Sequence, residues 1–413
     1  MAIIVYCNSK EITMMHFKTF LKEDAVTAES EGEKLKHITH AEDRPLQRGP
    51  EGFRHAVEAL KQAHNHIKSG GHSSALSMKY DGSPSLVFGH HPESGKFFVA
   101  SKSAFNKTPK INYTHEDIVK NHGHAPGLMA KLHDSLNHLK KIAPKTGVYQ
   151  GDLMFSGDDK KETKHGVSFT PNTIQYTAKG HEADKVRKAK LGIVVHTQYH
   201  GDTASSMKAD PHPDLHNFKD HPDVWRVSPN HDTKQVHYSD EAQQEFKDHI
   251  KDAEKIHRAG GKEMYSAVAR HSGEGGQLEQ YINHTVRTDE VPSSEGFAKH
   301  LKSKTEKAKE KLKTAAALGK KDSEYKMNDE HIKANKHHYD NLFKMHDHLQ
   351  KAKDTLVHTL NQHEGHLEHH VETNKEGLKR TDPEGFVVHY AGEPTKLVNR
   401  KEFSKINLLK VRK

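Results

Sequence analysis

The chain has 413 residues, 32% of them hydrophobic, with 64 Lys and Arg against 56 Asp and Glu, for a net charge of +8 before any of its 39 histidines takes a proton. Its mean hydropathy is -0.93, and no run approaches the roughly 20 apolar residues that a helical span needs, which excludes a helical membrane protein. The length suits about two to three domains. The pI near 9.0 is compatible with a polyanionic partner, nucleic acid above all, and equally with a well-charged soluble surface. A single cysteine, Cys7, permits no internal disulfide and no cysteine-based zinc site. Met1–Cys7 lacks the basic start and long apolar stretch of a secretion signal, so a reducing cytoplasmic setting is expected.

In chain order, residues 14–23 form a short amphipathic stretch in which Met14 or Met15 is a candidate translation start, and a polar, acidic linker runs from there to about Arg48. Phe53, Val57, Leu60, Ala63 and Ile67 recur at helical spacing, and Gly70-Gly71 ends the helix. From about Ser74 the period changes to that of strands. Segments 75–80, 85–89 and 96–102 read as short strands separated by Asp81-Gly-Ser-Pro and His91-Pro-Glu-Ser-Gly turns. A helix is expected over 127–142, then strands over 147–155, 166–170, 172–178 and 191–199. This order predicts an α+β protein rather than a βαβ repeat.

After Gly201 the chain turns polar, Lys- and His-rich and helical in pattern. Leu342, Leu349 and Leu356 are seven apart, as are Leu360 and Leu367, and then Val371 and Leu378, which predicts a sparse seam on long charged helices. Strand pattern returns at 383–390 and 396–398. We therefore read 1–48 as an N-terminal segment and linker, 202–382 as a helical insertion, and 49–201 plus 383–413 as the domain it interrupts.

The sharpest local signal is Lys79-Tyr80-Asp81-Gly82 at the end of a strand, a pattern that by itself also describes an Asp-Gly turn beside an exposed lysine. It is followed in order by Lys102 at another strand end, by Asp152 in Gly147-Val-Tyr-Gln-Gly-Asp-Leu-Met-Phe, by the apolar strand 191–199, by Glu384-Gly385 entering a strand, and by Lys396-Leu-Val. In order and type these six features resemble the covalent nucleotidyltransferase superfamily, the ATP-dependent RNA and DNA ligases and mRNA capping enzymes. The resemblance covers about 74–201 and 383–400. The whole chain also looks like a group of tailed-phage proteins that carry the same core.

The resemblance implies a ligase adenylation-domain fold, an antiparallel sheet core with a large helical insertion, and a cytoplasmic location (that of the host, for a phage-encoded chain). It implies catalytic roles for Lys79, Asp81 and Lys396, with Lys79 as the nucleophile that takes AMP from ATP. It implies nucleotide binding by Met78, Lys79, Gly82, Lys102, Asp152 and Lys396, and a site for Mg²⁺ or Mn²⁺ at Asp152 and Glu384, since carboxylate oxygens suit such ions. The implied activity is an ATP-dependent polynucleotide ligase with RNA ahead of DNA as partner, because the residues after Arg400 leave no room for the extra C-terminal module of DNA ligases. Three positions depart from the pattern. Asp152 stands where glutamate is usual, Lys102 where arginine is usual, and Val398 where a second lysine is usual, with Arg400 or Lys401 as substitutes. Three other readings stay open: a DNA ligase, a nucleotidyltransferase with a different acceptor, and, because of these departures, a non-catalytic nucleic-acid-binding or structural phage protein on a decayed fold.

Weaker features are a His363, His366 and His370 series at helical spacing near His369 and Glu364, able to bind Zn²⁺ or Ni²⁺ but far more often simply a solvated helix, and a lysine run at 302–313 interleaved with Glu306 and Glu310, more often an exposed helix with i,i+4 pairs than a phosphate track. Trp225 is a core candidate. No Gly-x-Ser-x-Gly elbow, His-Glu-x-x-His motif or Walker A loop is present.

Overall fold

A computed structural model describes residues 38–203, 206–362, 367–373 and 377–403. The 14–23 stretch, both candidate starts, Cys7, His363, Glu364 and His366 lie outside them. The chain is α+β. Its strands are β1 (Thr39–His40), β2 (His72–Lys79), β3 (Ser85–His90), β4 (Phe97–Ala100), β5 (Val148–Ser156), β6 (Lys160–Thr163), β7 (Gly166–Phe169), β8 (Gln175–Ala178), β9 (Leu191–His200), β10 (Lys208–Asp210), β11 (Val224–Val227), β12 (Asn230–Asp232), β13 (Leu367–Thr373), β14 (Gly377–Arg380), β15 (Gly385–Tyr390) and β16 (Glu393–Leu397). The helices are α1 (Arg44–Ser69), α2 (His115–His122), α3 (Pro126–Leu139), α4 (Gly180–Lys188), α5 (Asp240–Val268), α6 (Gln277–Thr288), α7 (Ser294–Lys309), α8 (Ala315–Ala334) and α9 (Lys336–Asn361).

The strands form three sheets, ordered β1-β16-β15-β2-β12, β10-β9-β5-β3-β4 with β11 beside β9, and β14-β13-β8-β7-β6. All pairings are antiparallel except β1 with β16 and β11 with β9. Alternation of side chains along a strand divides the first sheet into two unlike faces. Leu76, Met78, Phe386, Val388 and Leu397 face α1, α5 and α9 and share one core with Phe53, Leu60, Phe246, Leu349 and Leu356. The other face carries Lys79, Gly385, Val387 and Lys396, because Gly385 lies opposite Lys79 and Val387 opposite Lys396. In the second sheet, Leu86, Phe88, Leu153, Ile193 and Val195 pack on α2 and α3 through Ile118, Leu132 and Leu139. Phe155 and Trp225 pack with the third sheet through Phe169 and Tyr176.

Two expectations need correcting. The stretch ending near Arg48 is no linker from residue 39 onward: Ala41–Asp43 form a 3-10 helix, α1 starts at Arg44, and Glu42, Asp43 and Arg44 are buried. Nor is 202–382 helical throughout. Residues 224–227, 230–232, 367–373 and 377–380 are strands, and the helices lie between Asp240 and Asn361. Along β13, Leu367, His369 and Val371 point inward while Glu368, His370 and Glu372 do not. A two-residue period therefore replaces the seven-residue seam there. Leu378 is exposed on β14. His369 and His370 stand on opposite faces of a strand, so the helical histidine spacing does not form.

Candidate active site

Strand β2 delivers Lys79 at its last residue, next to the point where the chain crosses from the first sheet to the second. Its ammonium forms an ion pair with Glu384, which immediately precedes β15. Gly385 has φ +146°, and a Cβ there would stand 2.5 Å from the Leu397 carbonyl oxygen, so this position demands glycine. Lys396 comes from the next strand, β16, on the same face.

The charges act on one another. Burial pulls the Lys79 ammonium down, but Glu384 foremost, with Asp152 and Asp81, outweighs it and raises its pKa above the ordinary lysine value. Burial pushes Glu384 above the usual carboxylate range, and Lys79 offsets only part of that. Lys396 falls to about 8, through burial first, then repulsion from Lys79 and Arg400. The site thus holds one lysine kept protonated by carboxylates and a second whose pKa is brought down to about 8, still charged at neutral pH.

Asp81 and Gly82 organise the crossing. The Asp81 carboxylate accepts hydrogen bonds from the backbone N–H of Thr173 (2.7 Å) and Ile174 (2.9 Å) and from Asn172 Nδ2 (2.9 Å). Its own N–H donates to the Tyr176 hydroxyl at 2.7 Å. Asp81 therefore ties the end of β2 to the third sheet. A Cβ on Gly82 would lie 2.6 Å from Asp152 Cβ, so the turn packs directly on that aspartate.

Asp152 sits on β5, opposite Ser85 of β3. Burial works to raise its pKa, yet His196, a hydrogen bond from Ser85, and Lys79 hold it below the usual aspartate value. His196 Nε2 stands 3.5 Å from Asp152 Oδ1. Behind Ser85 runs a buried hydrogen-bond chain: the Tyr199 hydroxyl donates to Gln150 Oε1 at 2.6 Å, and Gln150 Nε2 donates to Ser85 Oγ at 2.8 Å. This chain fixes the Ser85 hydroxyl toward Asp152.

Lys79, Asp152, Glu384 and Lys396 are thus brought together, with Asp81 and Gly82 shaping the turn between them. Lys102 is exposed in a 3-10 helix that begins two residues beyond β4. Met78 lies on the opposite face of β2, packed toward the helices. Of the two candidate substitutes for a second lysine, Arg400 grips Asp43 through Nη1, at 2.9 and 2.8 Å to the two carboxylate oxygens, and Lys401 pairs with Asp289 at 3.1 Å. Sequence reasoning missed His196, Ser85 and the buried Glu42–Asp43 pair. His196 lies within a strand whose apolar run drew all the attention, and only its alternation against Asp152 would have revealed it.

For a divalent cation, the telling atom is Glu384 Oε2, which is buried without a hydrogen-bond partner while Oε1 engages Lys79. An orphaned carboxylate oxygen beside a second carboxylate, Asp152, fits Mg²⁺, which binds through one or two carboxylates and fills its shell with waters and phosphate oxygens. Among the described residues no group of three or more His, Cys, Asp or Glu is placed to hold a metal without such additions.

These features define an α+β protein with a lysine–carboxylate site at the junction of two mostly antiparallel sheets. The chain belongs to the Family of unknown function (DUF6267), whose match covers residues 35–412. No curated protein and no solved structure matches it. No helix among the described residues is long and apolar enough to cross a membrane.

Proposed function

We propose that the protein is a covalent nucleotidyltransferase, an ATP-dependent polynucleotide ligase that works through a lysyl-AMP on Lys79. The observation that carries the reading is the convergence of Lys79, Glu384 and Lys396 on one face of the first sheet with Asp152 across the crossing, drawn from both ends of the chain. The carboxylates hold Lys79 protonated at rest, so attack on a polyphosphate needs its proton transferred first, while Lys396 brings positive charge toward the phosphate.

In this mechanism the Lys79 amine loses its proton, for which Glu384 is the acceptor in contact. The nitrogen lone pair attacks the α-phosphorus of ATP, the bond to the β-phosphate bridging oxygen breaks, and pyrophosphate leaves. Lys396 offers positive charge to the phosphate as negative charge develops. Asp152, held by Ser85 and His196, orients the nucleotide. A 5′-phosphate oxygen of a nucleic-acid end then attacks the adenylate phosphorus and frees Lys79. A 3′-hydroxyl finally displaces AMP to form the phosphodiester. Mg²⁺ held by Glu384 and Asp152 would supply charge neutralisation at the phosphates.

The test is incubation of the purified protein, fresh and after pyrophosphate stripping, with α-labelled ATP and Mg²⁺. The expected result is one covalently bound AMP, lost in Lys79→Ala. A wild-type protein that never gains AMP overturns the reading. Joining of 5′-phosphorylated RNA and DNA substrates then decides the acceptor. Adenylylation with no sealing of either points to a protein or small-molecule acceptor.

A further inference from the structure

Helices α6 and α7 build a positive surface away from the lysine–carboxylate site. On α7, His300, Lys304 and Lys307 fall on one face at i, i+4 and i+7, and on α6, His284 and Arg287 turn toward them. The His284 and His300 rings lie 4.9 Å apart. His300 is pulled down to about 4, by burial first and then by His284, Lys304, Arg287 and Lys307, with no carboxylate opposing them. Its Nε2 is buried and has no hydrogen-bond partner. On α7 itself the acids are engaged elsewhere, Glu306 with Lys309 and Glu295 with Lys336. Arg287 and Lys307 are exposed and have no ion-pair partner among the described residues.

This surface is linked to the site. Asn283, on the same helix as His284 and one turn before Arg287, accepts a hydrogen bond from Arg400 at 2.5 Å. Arg400 follows β16 and acts on the charge of Lys396. Arg400, itself buried and paired with Asp43, therefore ties α6 to the strand that carries Lys396, and the exposed cations Arg287, Lys304 and Lys307 lie on and beside that helix. Concentrated cations without counter-charges bind phosphodiester backbones by releasing condensed counterions.

We propose that the α6–α7 face centred on Arg287, His300, Lys304 and Lys307 is a docking surface for the phosphate backbone of a single-stranded nucleic acid. The assignment rests on the reading that the acceptor is a polynucleotide, and it adds where the strand lies. The interaction is electrostatic and independent of base sequence.

The experiment measures binding of the full chain to a 5′-phosphorylated single-stranded RNA oligonucleotide by fluorescence anisotropy across salt concentration. It compares wild type, Arg287→Glu with Lys307→Glu, and a control carrying Lys299→Glu with Lys302→Glu. The control makes the same net charge change on another side of α7. The R287E/K307E protein is expected to bind about tenfold or more weakly, with the slope of log affinity against log salt reduced by about 1.4, while the control retains most of both. ATP labelling of Lys79 is expected to be unchanged in all three. Equal losses in the two double variants, or no loss in either, overturns the docking surface. Failure of ATP labelling in wild type with patch-dependent RNA binding intact would instead sink the ligase reading and leave the surface standing.

Discussion

Two lysines share one face of one sheet, yet their neighbours push them in opposite directions. Lys79 is raised because the carboxylates around it outweigh burial, whereas burial and the Lys79 and Arg400 cations bring Lys396 to about 8. In Glu384→Gln the main opposing charge disappears and burial dominates, so the Lys79 pKa is expected to fall below the ordinary lysine value. Carbon-13 NMR of the reductively methylated protein reads this directly, and the same variant is expected to lose ATP labelling by about 10²-fold or more. For Lys396 the folded value lies below the unfolded one. The cost of burying the ammonium is therefore present in full below pH 8 and is relieved as pH rises toward the unfolded value near 10.5. Lys396→Met is expected to raise stability at pH 7 by about 1 kcal/mol and to flatten the rise in stability between pH 8 and 10.5, as read by urea denaturation. A variant as pH-dependent as wild type in that window would assign the titration elsewhere.

At the scale of elements, the site depends on how closely strands and turns approach. Gly385→Ala puts a methyl 2.5 Å from the Leu397 oxygen in a conformation that only glycine adopts freely. A loss of about 2–3 kcal/mol is expected, together with weakened ATP labelling, because β15 and β16 carry Glu384 and Lys396 to Lys79. Thermal melting beside the labelling assay checks both. Much of this part of the fold was legible. The short apolar strands between Leu76 and Tyr199 announce themselves through β-branched and aromatic residues bounded by turns, and Lys79, Asp152, Glu384 and Lys396 stood out as charged residues at strand ends or breaks. Two kinds of element escaped. β13 and β14 carry apolar residues seven apart, a spacing compatible with a helical seam until inward-facing His369 shows the shorter period. The 39–48 segment escaped for an electrostatic reason: half of its six buried residues are Glu42, Asp43 and Arg44, which hydropathy reads as solvent-exposed. Only their partners, hundreds of residues away, reveal that they are interior.

Those partners set the behaviour of the whole molecule. Lys353 on α9 pairs with Glu42 at 2.6 Å, both completely buried. His346, one of the same helix, reaches Asp43 at 3.0 Å, and Arg400 reaches it from the far end of the chain. Burial opposes ionisation of both carboxylates, but Lys353 foremost at Glu42 and Arg400 foremost at Asp43 hold each at about 2. Their stabilising contribution is therefore complete above the normal carboxylate range and is lost as pH falls from about 4 toward 2. Asp43→Ala leaves Arg400 buried without its counter-charge, so a loss of about 3–5 kcal/mol is expected at pH 7. The deficit relative to wild type is expected to shrink at pH 2, and urea midpoints at the two pH values provide the check.

Strand β1 finds its mate in β16, pairing Thr39 with Thr395 and His40 with Lys396. Synthesis must therefore reach β16 before the first sheet can close. Until then Lys79 stands without Glu384 or Lys396, the charges that flank it in the folded site. The lysine–carboxylate site thus assembles only after residue 396 has been made, and pairing of such distant segments is slow, which lengthens the interval in which the chain stays open to proteases and chaperones.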